Sequence, residues 1–215
     1  MRARKSVVLF ALMALFPIAS LCQAEVNVGL SLDKDGIKSF CLAIGEHFNV
    51  EEKKVVVVRE AKIPDEDLPV VFFLASRAGI SPDIIVKMRL GGKSWMDISL
   101  HFGLTAGVFY VPVKGNPGPP YGKAYGHFKN RKKEQWGSVR LTDVEIADFV
   151  NLRFISERYG YSPDEVIKLR SSGKSFVSIN SEVKAKKAGK KPSDKIASQS
   201  DEESKGKGKS KGKKK

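Results

Sequence analysis

One internal match constrains this chain more than any other feature. At a constant spacing of 81 residues, Arg77 to Ser94 (RAGISPDIIVKMRLGGKS) aligns without a gap with Arg158 to Ser175 (RYGYSPDEVIKLRSSGKS), and ten of 18 positions are identical. A repeat decides the architecture before any local assignment does, because each copy is one supersecondary unit that must bury its apolar face against a neighbour. A fainter copy precedes the pair. Ile44, Phe48, Val50, Val55, Val56, Val58 and Arg59 fall where Ile155, Tyr159, Tyr161, Val166, Ile167, Leu169 and Arg170 fall.

Each copy reads as helix, tight turn, helix. Gly79 and Gly160 stand where a left-handed residue satisfies the last carbonyls of a first helix. Ser81 and Ser162 follow as N-caps, with Pro82 and Pro163 in the first helical position and Asp83 and Asp164 near the positive end of the dipole. Asp83 with Lys87, and Asp164 with Lys168, are i, i+4 pairs of the favourable sense. Gly92 and Gly173 close the second helix, and Ser94 and Ser175 can cap a third. Capping and packing therefore account for nearly every identity between the copies, and the expected fold is all-α: helical hairpins, two clear copies and one degenerate.

Two functional motifs overlap these residues. Gly-Lys-Ser at 92 to 94 and 173 to 175 suggests a phosphate-binding loop. That loop needs another Gly five residues earlier, where Lys87 and Lys168 stand, so it is rejected. Gly92 to Tyr110 (GKSWMDISLHFGLTAGVFY) resembles the helix-turn-helix pattern of DNA-binding regulators, with Ile98, Phe102, Leu104 and Phe109 arranged around Gly103 and Ser99 where that family usually has Ala. The resemblance covers about 20 residues and implies DNA binding by the second helix. It departs from the pattern there, because Thr105 to Tyr110 carries no Arg, Lys, Asn or Gln to reach base edges and Pro112 stops the helix early.

The two ends of the chain differ in kind from the repeats. Residues 1–24 have the three parts of a secretory signal: Arg2, Arg4 and Lys5, an apolar run from Val7 to about Leu21, and a small-residue exit at Ala24. Cleavage after Ala24 is expected. The run is shorter than the roughly 20 residues a membrane-spanning helix needs. Residues 184–215 carry 13 Lys and 4 acidic residues with no aromatic, a composition that cannot bury enough surface to offset ordering entropy, so a disordered tail is expected. Residues 26–32 (VNVGLSL) alternate as a strand would. A lone strand has no partner, so they read as an extended arm.

The formal charge of +14 is accordingly uneven. Residues 25–113 sum to −2 and residues 141–183 to −2, whereas residues 114–140 sum to +6 and the tail to +9. Between the clear copies, residues 111–140 form a Pro- and Gly-rich connector that predicts an extended path with no regular helix before about residue 126. Aromatics and cations alternate along it, a composition suited to stacking on planar groups while pairing with phosphate or carboxylate. The alternative is that Tyr121, Tyr125 and Phe128 fold back onto the helices. The candidate polyanion-binding residues are Tyr121, Lys123, Tyr125, Lys129, Arg131, Lys132 and Lys133 in the connector, and Lys186, Lys187, Lys190 and Lys191 in the tail.

No catalytic, cofactor or metal site is legible. Two Cys exclude a disulfide framework and a four-Cys zinc site; Cys41 reads as buried with Ile37 and Ile44. His47, His101 and His127 have no ligand at helical spacing. Asp65, Glu66 and Asp67 read as the solvated break between the first two copies. The expected organisation is a signal at 1–24, a helical body at 25–110, the connector at 111–140, a further hairpin at 141–183 and the tail at 184–215. The expected function is that of an exported, non-enzymatic binding or scaffold protein of the bacterial envelope or cell surface, without cofactor. Its basic segments would engage a polyanion, namely anionic lipid headgroups, surface polysaccharide or extracellular nucleic acid, and its helical body could dock a protein partner. The alternative is a helix-turn-helix DNA-binding protein whose apparent signal is an unprocessed N-terminus.

Overall fold

A computed structural model describes residues 27–189. The signal at 1–24, and Lys190 and Lys191, lie outside the described residues. The described chain is helical, without a strand. Helix α1 (Asn27–Phe48) and α2 (Glu52–Glu60) are followed by α3 (Leu68–Ala78), α4 (Pro82–Leu90) and the short α5 (Trp95–His101). The connector contributes α6 (Gly122–Gly126), and the chain continues through α7 (Asp143–Tyr159), α8 (Pro163–Ser171) and α9 (Phe176–Gly189). Short 3-10 turns occupy Asp65–Asp67, Ala106–Val108 and Lys133–Ser138.

The buried residues form one cluster from Ile37 to Val183. Helix α7 is its centre: Ile146, Phe149, Val150, Leu152, Phe154 and Ile155 are buried around its circumference, the pattern of a helix covered on all sides. It packs on α1, α3, α5 and α9. Cys41 is buried at 2% exposure, as expected of a packing residue, and that burial pushes its thiol pKa up.

Residues that match in sequence also match in backbone. Gly79 and Gly160 take φ 68° and 75°, and Gly92 and Gly173 take 85° and 84°. The degenerate stretch places Asn49 (φ 55°) and Lys62 (φ 65°) at the corresponding positions, where a side chain is strained. Lys62, Gly92 and Gly173 each donate their N–H to the carbonyl three residues earlier, on Arg59, Arg89 and Arg170. The third helices α5 and α9 begin as read: Ser94 Oγ accepts from Asp97 N at 3.0 Å and Ser175 Oγ from Ser178 N at 3.1 Å.

Four expectations are corrected. Residues 27–32 are the start of α1 rather than an extended arm; with no strand to pair with, helical hydrogen bonds are the available way to satisfy their backbone. Lysines 184, 186 and 187 belong to α9 rather than to a disordered tail, because that helix is docked through Phe176, Ile179, Asn180 and Val183 and Lys184 Nζ reaches Ser39 Oγ at 3.0 Å. Asp164 spends its carboxylate on the connector, accepting the N–H groups of Gly115 at 2.9 Å and Lys114 at 3.1 Å.

The fourth concerns the acidic trio. Glu66 and Asp67 are not a solvated break but half of a reciprocal clamp. Arg170 Nη2 lies 3.1 Å from Glu66 Oε2 and its Nε 3.4 Å from Asp148 Oδ1, with its guanidinium 4.5 Å from the centre of the Phe176 ring. Arg89, 81 residues earlier, repeats this: Nη1 is 2.5 Å from Asp143 Oδ2, Nη2 is 3.6 Å from Asp67 Oδ2, and the guanidinium is 4.4 Å from the Trp95 ring. Each distant acid also accepts a first-turn N–H of a third helix, Phe176 N on Glu66 and Trp95 N on Asp143, both at 2.7 Å. The clamps thus join the N-terminal half to α8 and α9, and the C-terminal half to α4 and α5.

Candidate anion-binding surface

The connector is fixed at both ends before it presents any charge. Asp164, at the start of α8, holds Lys114 and Gly115, and Ser171 Oγ donates to Pro119 O at 2.7 Å. Those backbone bonds from Gly115 and then Lys114 hold the Asp164 carboxyl below the usual carboxylate range. Further along, His127 Nε2 lies 3.0 Å from Glu145 Oε1. Glu145 closes the capping box of α7 with Thr142. Burial pushes its pKa upward, but hydrogen bonds from Thr142 and His127 outweigh this and hold it low.

Between these anchors the aromatic side of the connector faces inward. Tyr121, Ala124, Tyr125 and Phe128 are buried, and their i, i+3, i+4, i+7 spacing is that of a helix packing one face. Tyr121 is fully buried and its hydroxyl donates to Asp148 O at 3.3 Å; Tyr125 donates to Val111 O at 2.7 Å. Both rings pack against Phe149 on α7. Tyr121 and Tyr125 are therefore corrected from stacking groups to core residues, and the path between them is the helix α6, not extended chain. Burying four apolar side chains at helical spacing outweighs the propensity cost of Gly122 and Gly126.

The cations point the other way. Lys123, Lys129, Arg131, Lys132 and Lys133 are all exposed. Arg131 Nη1 donates to Ser138 Oγ at 3.2 Å, and its carbonyl accepts Trp136 Nε1 at 3.3 Å, so the 131–138 stretch is closed on itself. Among the described residues no carboxylate pairs with these five side chains. Arg140, exposed next to them in sequence, donates to the carbonyls of Gly137 and Val139. On α9, Lys186 pairs with Glu182 at 2.7 Å, while Lys187 is exposed.

The segment resembling a helix-turn-helix lacks its second helix. After α5 and the left-handed Gly103 (φ 71°), the chain makes only the 3-10 turn Ala106–Val108, with Ala106 and Phe109 buried. A three-residue 3-10 turn does not make a recognition helix. Among the described residues, no group of three His, Cys, Asp or Glu is placed to hold a metal ion, and no helix is long and apolar enough to cross a membrane. No protein-family model, curated protein or solved structure matches this chain.

Proposed function

We propose that this protein is an exported, non-enzymatic binding or scaffold protein of the bacterial envelope or cell surface, whose basic connector and C-terminal lysines engage a polyanion. The observation that carries the reading is the two-sidedness of the connector: its aromatic side is built into the core, and its outer side is a row of exposed cations that no carboxylate among the described residues pairs with. Such a row attracts a dense anionic surface through charge, released counterions and multiple weak contacts rather than through base stacking. The body that carries it is a tandem of helical units, supported by left-handed residues at matching positions and by the reciprocal Arg clamps. The lysines after Gly189 would add a second, tethered set of charges.

The test is a titration of the purified protein against duplex DNA and against anionic vesicles at two salt concentrations. Three forms are compared: the full chain, a chain ending at Gly189, and a chain with Lys129, Arg131, Lys132 and Lys133 changed to Gln. Binding should weaken steeply with salt, and each phosphate contact removed should lower the log–log slope on DNA by about 0.9. Equal affinity and slope in all three forms would refute the proposal. Export is tested separately by sequencing the N-terminus of protein isolated from cells, where a start at Glu25 is expected and an intact Met1 is the contrary result.

A further inference from the structure

An open cleft of about 500 Å³ lies between the C-terminal end of α1, α3 and α7. Three aromatics line its floor: Phe48 is half-buried, whereas Phe73 and Phe154 belong to the buried core. Phe73 and Phe154 are themselves 81 residues apart, so the cleft sits where matching positions of α3 and α7 face each other. The rim is rich in donors and poor in acceptors. Arg77 is exposed, with its guanidinium 5.3 Å from the centre of the Phe73 ring, and among the described residues it has neither a hydrogen bond nor an ion pair.

The matching arginine on α7 differs. Arg158 is neutralised by Glu46, and the cleft's carboxylate, Glu157, is already shared by Arg153 and His47, each at 3.6 Å. Arg153 gives Nη2 to the carbonyls of Val108 and Tyr110, and its buried Nε–H has no partner among the described residues. Burial lowers the pKa of His47, so near neutral pH the ring is uncharged. The cleft's formal charges are then two guanidinium cations against one carboxylate. An uncompensated cation held over an aromatic floor, in a cavity within the range that takes small ligands, is a recognition pattern for an anion with a flat apolar body.

We propose that this cleft binds a small organic monoanion of that class, an aryl carboxylate or sulfonate, with its apolar body against the half-buried Phe48 ring and its anionic oxygens on Arg77. Bidentate pairing to a planar guanidinium supplies orientation as well as attraction. The site uses none of the connector or tail cations, so it is independent of polyanion binding.

The probe is 1-anilinonaphthalene-8-sulfonate, titrated by fluorescence into the native protein, with benzoate as competitor. Arg77→Gln removes the cation, and Ser76→Phe, at an exposed position on the rim, fills the cleft; circular dichroism checks that both variants keep the native helix content. One saturable site is expected, weakened by about tenfold or more in Arg77→Gln, lost in Ser76→Phe, displaced by benzoate, and unchanged when Lys129 and Lys132 are changed to Gln. Unaltered affinity in either cleft variant would overturn the proposal, as would weakening by the connector substitutions to the same degree.

Discussion

Glu66→Ala tests whether the clamp between the two halves of the chain is a principal source of stability. Glu66 is 31% exposed and its carboxylate does three things: it accepts Phe176 N at 2.7 Å, and it takes Arg170 Nη1 at 3.4 Å and Nη2 at 3.1 Å. Truncation to Ala removes the first-turn N–H partner of α9 and leaves Arg170 with Asp148 and the Lys174 carbonyl, 2.9 Å away. A hydrogen bond to a charged group contributes about 1.5–3 kcal/mol. Water reaching the exposed edge of the pair replaces part of that, so the expected loss is roughly 2–4 kcal/mol. In urea, with a slope of about 2 kcal/mol/M, the unfolding midpoint read by far-ultraviolet circular dichroism should fall by roughly 1–2 M with the slope unchanged. Asp143→Ala should behave alike, since Asp143 makes the equivalent bonds to Arg89 and Trp95 N. A double-mutant cycle of Glu66→Ala with Arg170→Met should return a coupling of at least about 1 kcal/mol. A midpoint shift no larger than that of Glu134→Ala, an exposed acid with no ion pair among the described residues, would refute the view that these distant acids hold the halves together.

Two further outcomes follow from the same structure. Burial pushes the Asp148 pKa to about 6, with the Arg170 guanidinium opposing. The folded chain therefore takes up this proton as pH falls through about 6, before the unfolded chain does, so the ionised carboxylate is a burden above that pH which is relieved as pH falls toward 4. Asp148→Asn should gain on the parent by roughly 2 kcal/mol between pH 4.5 and 7.5 in paired denaturation curves, and a pH-independent difference would contradict this. Lys62 holds φ 65° where Gly92 and Gly173 stand in matching turns, so Lys62→Gly should stabilise by roughly 0.5–1 kcal/mol and Gly92→Lys should destabilise by about 1 kcal/mol; a thermal scan showing the opposite signs would remove the strain argument.

The features legible in the sequence were those set within a few residues. Gly160, Ser162 and Pro163 each act through their own φ or their own hydrogen bond, so a turn and a helix start are set where they stand; in the other copy Ser81 makes no side-chain cap bond and its hydroxyl donates to Asp83 Oδ2. What the sequence hid was decided over long distances or by competing local signals. The i, i+3, i+4, i+7 stripe of Tyr121, Ala124, Tyr125 and Phe128 is a helix pattern, but it is interleaved with Gly122 and Gly126 and preceded by Pro119 and Pro120, breakers that locally favour extended chain; the stripe prevails because α7 offers a surface to bury it against. Val26 to Leu32 shows the converse, an alternation with no strand to pair with. Glu66 is the sharpest case. It lies 104 residues from Arg170 and 110 from Phe176, so beside Asp65 and Asp67 it looks like one charge in a solvated run. Its role depends on α8 and α9 packing back against the start of α3, and within the paired copies it sits outside the matched stretch. The matching arginines, Arg89 and Arg170, are visible as an identity, but the sequence does not show that both are half-buried and paired with distant acids. Their partners in the trio at 65–67 and in Asp143 and Asp148 follow from packing, because a guanidinium drawn partly out of water over an aromatic ring is costly without a carboxylate beside it.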